Sequence, residues 1–173
     1  MLQNIVKKFI KLQDERNIWK NSQFEGIDKL KIDYIEKIGE EYLQKLLLRL
    51  NISNDINGLK NRKVGGGKGD GLINNKYIEL KTARLGIGNS FQHELGENPW
   101  NADFMLFLDI SPNDIYLTIL PNLTMEEYEI NRKYPSFSTK KITKRKNKGN
   151  YKFDTTINLL KKNKTNKIIL TKK

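Results

Sequence analysis

The segment Leu72-Ile73-Asn74-Asn75-Lys76-Tyr77-Ile78-Glu79-Leu80-Lys81 constrains this chain more than any other. Two short apolar-rich runs flank Asn74-Asn75, and Asn tolerates positive φ, so the spacing predicts a β-hairpin closed by a two-residue loop. Such a loop fixes one register: Ile73 opposite Lys76, Leu72 opposite Tyr77, Gly71 opposite Ile78 and Asp70 opposite Glu79. Strand side chains alternate between faces, so Ile78 and Leu80 point one way while Tyr77, Glu79 and Lys81 point the other.

That register sets two carboxylates across from each other, with a lysine one step along the same face. Like charges directly opposite destabilise an antiparallel pair. A divalent cation removes the conflict, and Mg²⁺ is typically held by one or two carboxylates together with waters and substrate phosphate oxygens. Lys81 beside them would orient or help deprotonate a water, or stabilise charge on a phosphate. Glu-x-Lys alone is equally a pair of surface charges on a solvated hairpin. The cross-strand Asp70 and the glycines beside it favour the metal site.

The pattern of Asp70, eight residues, then Glu79-Leu80-Lys81 resembles the signature of the PD-(D/E)xK nucleases, a superfamily of restriction endonucleases, junction resolvases and repair nucleases. The resemblance implies an α/β (α+β) fold with a restriction-endonuclease-like core, a central mixed β-sheet flanked by helices. It also implies a phosphodiesterase site using Mg²⁺, with Mn²⁺ able to substitute. Carried over by position, Asp70, Glu79 and Lys81 are catalytic, and Asp70, Glu79 and Leu80 form the metal set. Gly69 stands where the name-giving proline would be. A helix before the core strands in such nucleases often adds an acid, which points to Glu40, and a glutamine beyond the motif points to Gln92.

The remaining chain supplies the frame. Leu2, Ile5, Val6, Phe9, Ile10 and Leu12 give residues 2–16 the spacing of an amphipathic helix. A longer one follows over 31–50, with Ile35, Ile38, Tyr42, Leu43, Leu46, Leu47 and Leu50 as its apolar stripe. Glu40 lies three residues before Leu43 and seven before Leu47, on the inward side; the alternative is a solvated acid complementing the helix dipole. Asn51 to Asn57 reads as a loop of turn formers. Gly65 to Gly67 lack a following Gly-Lys-Ser/Thr, which excludes a nucleotide-binding P-loop and leaves a flexible approach to the hairpin. After Lys81 the chain is expected to leave the sheet, with Ser90 capping a short helix over 91–96 that holds Gln92 and His93. His93 either acts on a water or phosphate or is an ordinary helix histidine. Phe104 to Ile110 reads as a strand buried on both faces, returned by Ile115 to Leu120. A helix is expected within 121–134, then a basic β-hairpin over 140–155, then an edge strand at Ile168-Ile169-Leu170. Lys144, Arg145, Lys146 and Lys148 on the hairpin, with Lys68 and Arg84 near the motif, are the candidate nucleic-acid contacts.

At 173 residues the chain is expected to form one domain: an N-terminal helix and connection (1–28), a catalytic core (29–120) and a basic C-terminal subregion (121–173). With 32 basic against 20 acidic residues, the net charge of +12 favours a polyanionic partner. The absence of cysteine excludes disulfides and thiolate metal sites. No signal-peptide pattern and no run of about 20 apolar residues is seen, so a cytoplasmic protein without a membrane partner is expected. The combined expectation is a Mg²⁺-dependent endonuclease on double-stranded DNA, of the type II restriction kind and a homodimer. The alternatives are a structure-selective nuclease, such as a junction resolvase or repair nuclease, and a non-catalytic nucleic-acid-binding module. A peripheral membrane role is disfavoured, because the first helix is neither strongly basic nor rich in interfacial aromatics.

Overall fold

Asn74 and Asn75 both adopt positive φ, 48° and 62°, and close the expected hairpin. In the computed structural model, which describes residues 2–56, 68–86, 88–95, 102–121, 143–144, 151–162 and 167–170, strands β2 (Gly71–Ile73) and β3 (Lys76–Arg84) pair in the register fixed by that loop. Strand β1 (Asn54–Ile56) adds to the outer edge of β2, where a loop was expected. Its turn-forming residues are extended because β2 offers an open row of backbone groups to pair with.

On its other edge β3 pairs in parallel with β5 (Phe104–Ile110), which pairs antiparallel with β6 (Ile115–Pro121) and through it with the edge strand β9 (Lys167–Leu170). The result is a mixed six-stranded sheet in the order β1-β2-β3-β5-β6-β9. β3 continues in the sheet to Arg84, three residues beyond the expected departure, because its ladder with β5 extends to the Arg84–Ile110 pair. The fold is therefore α+β around a central mixed sheet.

Helices α1 (Leu2–Glu15) and α2 (Ile32–Arg49) follow the predicted spans closely. Helix α2 buries Ile35, Gly39, Leu43 and Leu47 and meets β3 at Gly39. A Cβ at position 39 would overlap Thr82 Oγ1 and sit 2.8 Å from Thr82 Cβ. Gly39→Ala is therefore expected to destabilise the fold by about 1–3 kcal/mol through overpacking. Denaturant unfolding measures this, and adding Thr82→Ala should recover part of the loss.

The stretch expected as a short helix is instead strand β4 (Ser90–Leu95). Its burial alternates, with Phe91, His93 and Leu95 enclosed and Gln92 and Glu94 exposed. That period of two suits a strand and would split across a helix. β4 pairs with β8 (Tyr151–Thr156), which carries β7 (Thr143–Lys144), making a second, three-stranded sheet. The expected C-terminal hairpin is thus present as β7–β8. A short helix α3 (Ile157–Lys162) follows and buries Leu160. The second sheet packs on the first through Phe91 against Tyr116 and His93 against Phe107. The helix expected within 121–134, the glycines 65–67 and the basic turn 145–150 lie outside the described residues. Among the described residues, no helix is long and apolar enough to cross a membrane.

Candidate active site

The β2–β3 ladder ends at the Gly71–Ile78 pair, so from Glu79 onward β3 keeps a ladder partner only in β5 among the described residues. Asp70 fills the notch this leaves. Its N–H donates to the Ile78 carbonyl at 2.7 Å, and its Oδ2 accepts the Leu80 N–H at 2.8 Å. A side chain thus continues the ladder beyond the end of the strand. Residues in a strand send N–H and C=O to the same edge, so the Leu80 carbonyl leaves β3 on the Asp70 side.

The glycines flanking Asp70 make this placement possible. Gly69 has φ of +114°, and a Cβ there would overlap the Ile78 carbonyl oxygen. At Gly71 a Cβ would overlap the Asp55 carbonyl oxygen and lie 2.8 Å from Ile56 Cα. The backbone carrying Asp70 is therefore threaded between β1 and β3, with no room for a side chain on either neighbour. The φ at position 69 is closed to proline, which is locked near −65°. Glycine at the position of the name-giving proline has a local conformational cause.

Glu79 and Lys81, two residues apart on one face of β3, form an ion pair of 2.6 Å with side chains 18% and 23% exposed. Burial works against charge on Lys81. Glu79, and after it Asp70 and Glu36, outweigh that effect and hold the ammonium above the usual lysine range. Lys81 is therefore a cation at neutral pH, ringed by acids. On the neighbouring strand, Met105 and Phe107 are the register partners of Glu79 and Lys81. The His93 ring meets Phe107 edge-on at 4.9 Å, and His93 Nε2 lies 2.9 Å from Asp109 Oδ1. Burial pushes the Asp109 carboxyl up, with the adjacent His93 opposing.

The expected register holds from Ile73–Lys76 to Gly71–Ile78. The expected Asp70–Glu79 pair is not part of the ladder, because Asp70 turns its N–H to the Ile78 carbonyl and its carboxylate to the Leu80 N–H. Helix α2 adds Glu36, whose charge acts on Lys81; sequence reading chose Glu40, half-buried next to Gly39. Glu36 precedes by three residues the glycine at which α2 touches β3, and residues so spaced share a helix face. Gly39 in the middle of an apolar stripe was the signal for that face. Gln92 lies on the outer face of β4, exposed, accepting a hydrogen bond from Lys152 at 3.1 Å. His93, by contrast, faces the main sheet with its ring enclosed, against Phe107, the register partner of Lys81 on the neighbouring strand.

Lys68 is exposed, its ammonium 4.9 Å from the Tyr77 ring centroid. The Arg84 guanidinium is engaged with backbone, donating to the Ile27 and Leu30 carbonyls at 2.5 and 2.6 Å. It ties the end of β3 to the segment leading into α2. Lys144 lies on β7, while Arg145, Lys146 and Lys148 fall outside the described residues.

Among the described residues, no three or more His, Cys, Asp and Glu side chains converge on a metal-sized site. Two carboxylates and a backbone carbonyl remain as a donor set of oxygens alone. By donor type that set fits a hard cation such as Mg²⁺, which completes its shell with waters and phosphate oxygens, whereas zinc sites usually include nitrogen or sulfur ligands. Asp70 retains acceptor capacity beyond its bond to Leu80, since a carboxylate offers about four lone-pair sites. No family model, curated protein or solved structure matches this chain.

Proposed function

We propose that this chain is a Mg²⁺-dependent endonuclease with a restriction-endonuclease-like core, related to the PD-(D/E)xK nucleases, acting on double-stranded DNA. One observation carries the reading: a buried aspartate, threaded between two glycines that admit no side chain, is hydrogen-bonded to the backbone between Glu79 and Lys81. A solvated hairpin has no need of a carboxylate built in this way. The net charge of +12 supports a polyanionic substrate.

Asp70, Glu79 and the Leu80 carbonyl would hold the cation, with Mn²⁺ as a substitute. Bound there, it supplies Lewis-acid charge to the scissile phosphate and lowers the pKa of a water. The protein's own contribution is positional and electrostatic. The Leu80 N–H fixes the Asp70 carboxylate, and the glycines fix its backbone. Lys81, kept charged by its neighbours, offers an ammonium to the phosphate whose negative charge grows during attack. Met105 and Phe107, beside Glu79 and Lys81 on the neighbouring strand, lower the local polarity on that side and strengthen these interactions.

The reading is tested by incubating plasmid, linear duplex and a four-way junction with the protein in Mg²⁺ or EDTA. Mg²⁺-dependent cutting of plasmid and linear duplex is expected. Strong preference for the junction would move the protein to the resolvases with the site retained. Salt-sensitive binding of all three without cutting in Mg²⁺ or Mn²⁺ would make it a binding module.

A further inference from the structure

His93 is the single histidine of the chain. Its side chain is 1% exposed and that of Asp109 0%, so the imidazole is set apart from any substrate and meets a carboxyl instead. Nε2 lies 2.9 Å from Asp109 Oδ1. Among the described residues His93 is the one hydrogen-bond partner of that carboxyl, whose Oδ2 is buried as well. The contact joins β4 of the second sheet to β5 of the main sheet, beside the meeting of His93 with Phe107.

With one ring proton and an ionised carboxyl, the pair carries a net −1. One proton more makes it neutral, as imidazolium and carboxylate or as imidazole and carboxylic acid. In a dry site the neutral pair costs far less than an uncompensated charge. We propose that the second sheet is clasped to the main sheet by a proton held between His93 and Asp109, and that the clasp weakens when alkali removes it. The described neighbours are engaged or neutral. On β3, Lys81 stands beside Phe107 with its charge paired to Glu79 at 2.6 Å, and Ala83 is the register partner of Asp109. On β6 that partner is Tyr116, whose phenol burial, and then Asp114, push up to about 12. On β8 the register partner of His93 is Phe153, while Lys152 and Asp154 alternate with it, Lys152 donating to Gln92. Glu94 on β4 and Lys161 and Lys162 on α3 are exposed.

Burial holds the Asp109 carboxyl above its usual range although His93 opposes it. A carboxyl so raised keeps its proton further up the pH scale folded than unfolded, so the stability tied to that proton is lost as pH rises. The two groups titrate as a unit. In the unfolded chain the imidazole also holds a proton below about 6.5. Folded and unfolded states therefore match there, and the loss begins above that value. One proton is worth up to about tenfold in the folding equilibrium for each pH unit. This inference stands independently of the chemistry at Asp70.

Urea unfolding of the full chain from pH 5.5 to 9 tests it, with the nitrogen-15 resonances of the one imidazole followed over the same range. The chain has one histidine and no cysteine, so only the α-amino group otherwise has its ordinary pKa between about 6.5 and 9. Wild-type stability is expected to fall by up to about tenfold in the folding equilibrium per pH unit above about 6.5. The imidazole resonances should hold one state through that pH and change only above it. Asp109→Asn leaves a pair that is neutral without the extra proton, while its unfolded imidazole still takes one below about 6.5. Its stability should therefore fall toward acid, opposite to wild type. The wild-type readings decide whether or not the variant folds. Stability flat from pH 6.5 to 9, an imidazole step at or below its ordinary value, or a folded variant with the wild-type profile would overturn the proposal.

Discussion

Asp70→Asn is expected to leave the fold standing and to remove Mg²⁺-dependent cleavage, by at least about 100-fold, beyond the roughly 10–100-fold typical of groups that merely support a metal ligand. The reasoning turns on what asparagine keeps. Its Oδ1 can accept the Leu80 N–H as the carboxylate oxygen does, so the bridge across the end of β2 survives. What disappears is the negative charge, and with it one of two anionic oxygen donors available to a cation. Thermal unfolding without metal should therefore shift little while cleavage is lost. Asp70→Ala removes both functions, leaving the Leu80 N–H without its acceptor, and is expected to lose stability as well, by about 1–3 kcal/mol. Comparing the two variants by melting temperature and by single-turnover cleavage separates the structural use of Asp70 from its chemical use. Equal cutting by wild type and Asp70→Asn would reject the site.

Gly69→Ala is the second large effect. The residue sits at φ +114°, and a Cβ there meets the Ile78 carbonyl oxygen, a backbone atom that β3 cannot easily move. Backbone strain of about 1–3 kcal/mol adds to the collision, so a loss of about 2–4 kcal/mol is expected in denaturant unfolding. Any relaxation must displace Asp70, the next residue. A misplacement on the order of 1 Å at a reacting centre costs about 100-fold in rate, so cleavage should fall even where the variant is fully folded. Gly69→Pro makes the comparison sharper. It restores the residue for which the nuclease signature is named, yet the local conformation excludes it. Activity retained in Gly69→Pro would show that Asp70 is not held as described.

Much of this site was legible in sequence because a two-residue hairpin loop leaves no freedom of register. Once Asn74-Asn75 was read as the turn, the pairing from Ile73–Lys76 to Gly71–Ile78 followed. That Asp70 bonds the backbone of Ile78 and Leu80 instead of lying opposite Glu79 was not legible. The paired strands β5 and β6 were legible for a similar reason, as apolar runs too continuous to be half-exposed. The misreadings have physical causes. Asn54 to Ile56 is extended by pairing with β2, a tertiary contact that overrides the preferences of turn-forming residues. Ser90 to Leu95 was read for its capping serine, although its alternation of apolar and polar residues carried the stronger signal. On α2 both Glu40, half-buried beside Gly39, and Glu36, whose charge acts on Lys81, stay candidates for the added acid. No local pattern announced that Arg84 donates to two carbonyls more than fifty residues away in sequence.

The central claim is that Asp70 and Glu79 form a binding site for a divalent cation. Titrating the protein with Mn²⁺ and following free Mn²⁺ by electron paramagnetic resonance tests it directly, without requiring the right DNA. Saturable binding by wild type, competed by Mg²⁺ and lost in both Asp70→Asn and Glu79→Gln, is the predicted result. Folded wild-type protein that binds no Mn²⁺, or binding that persists unchanged in both variants, would contradict it.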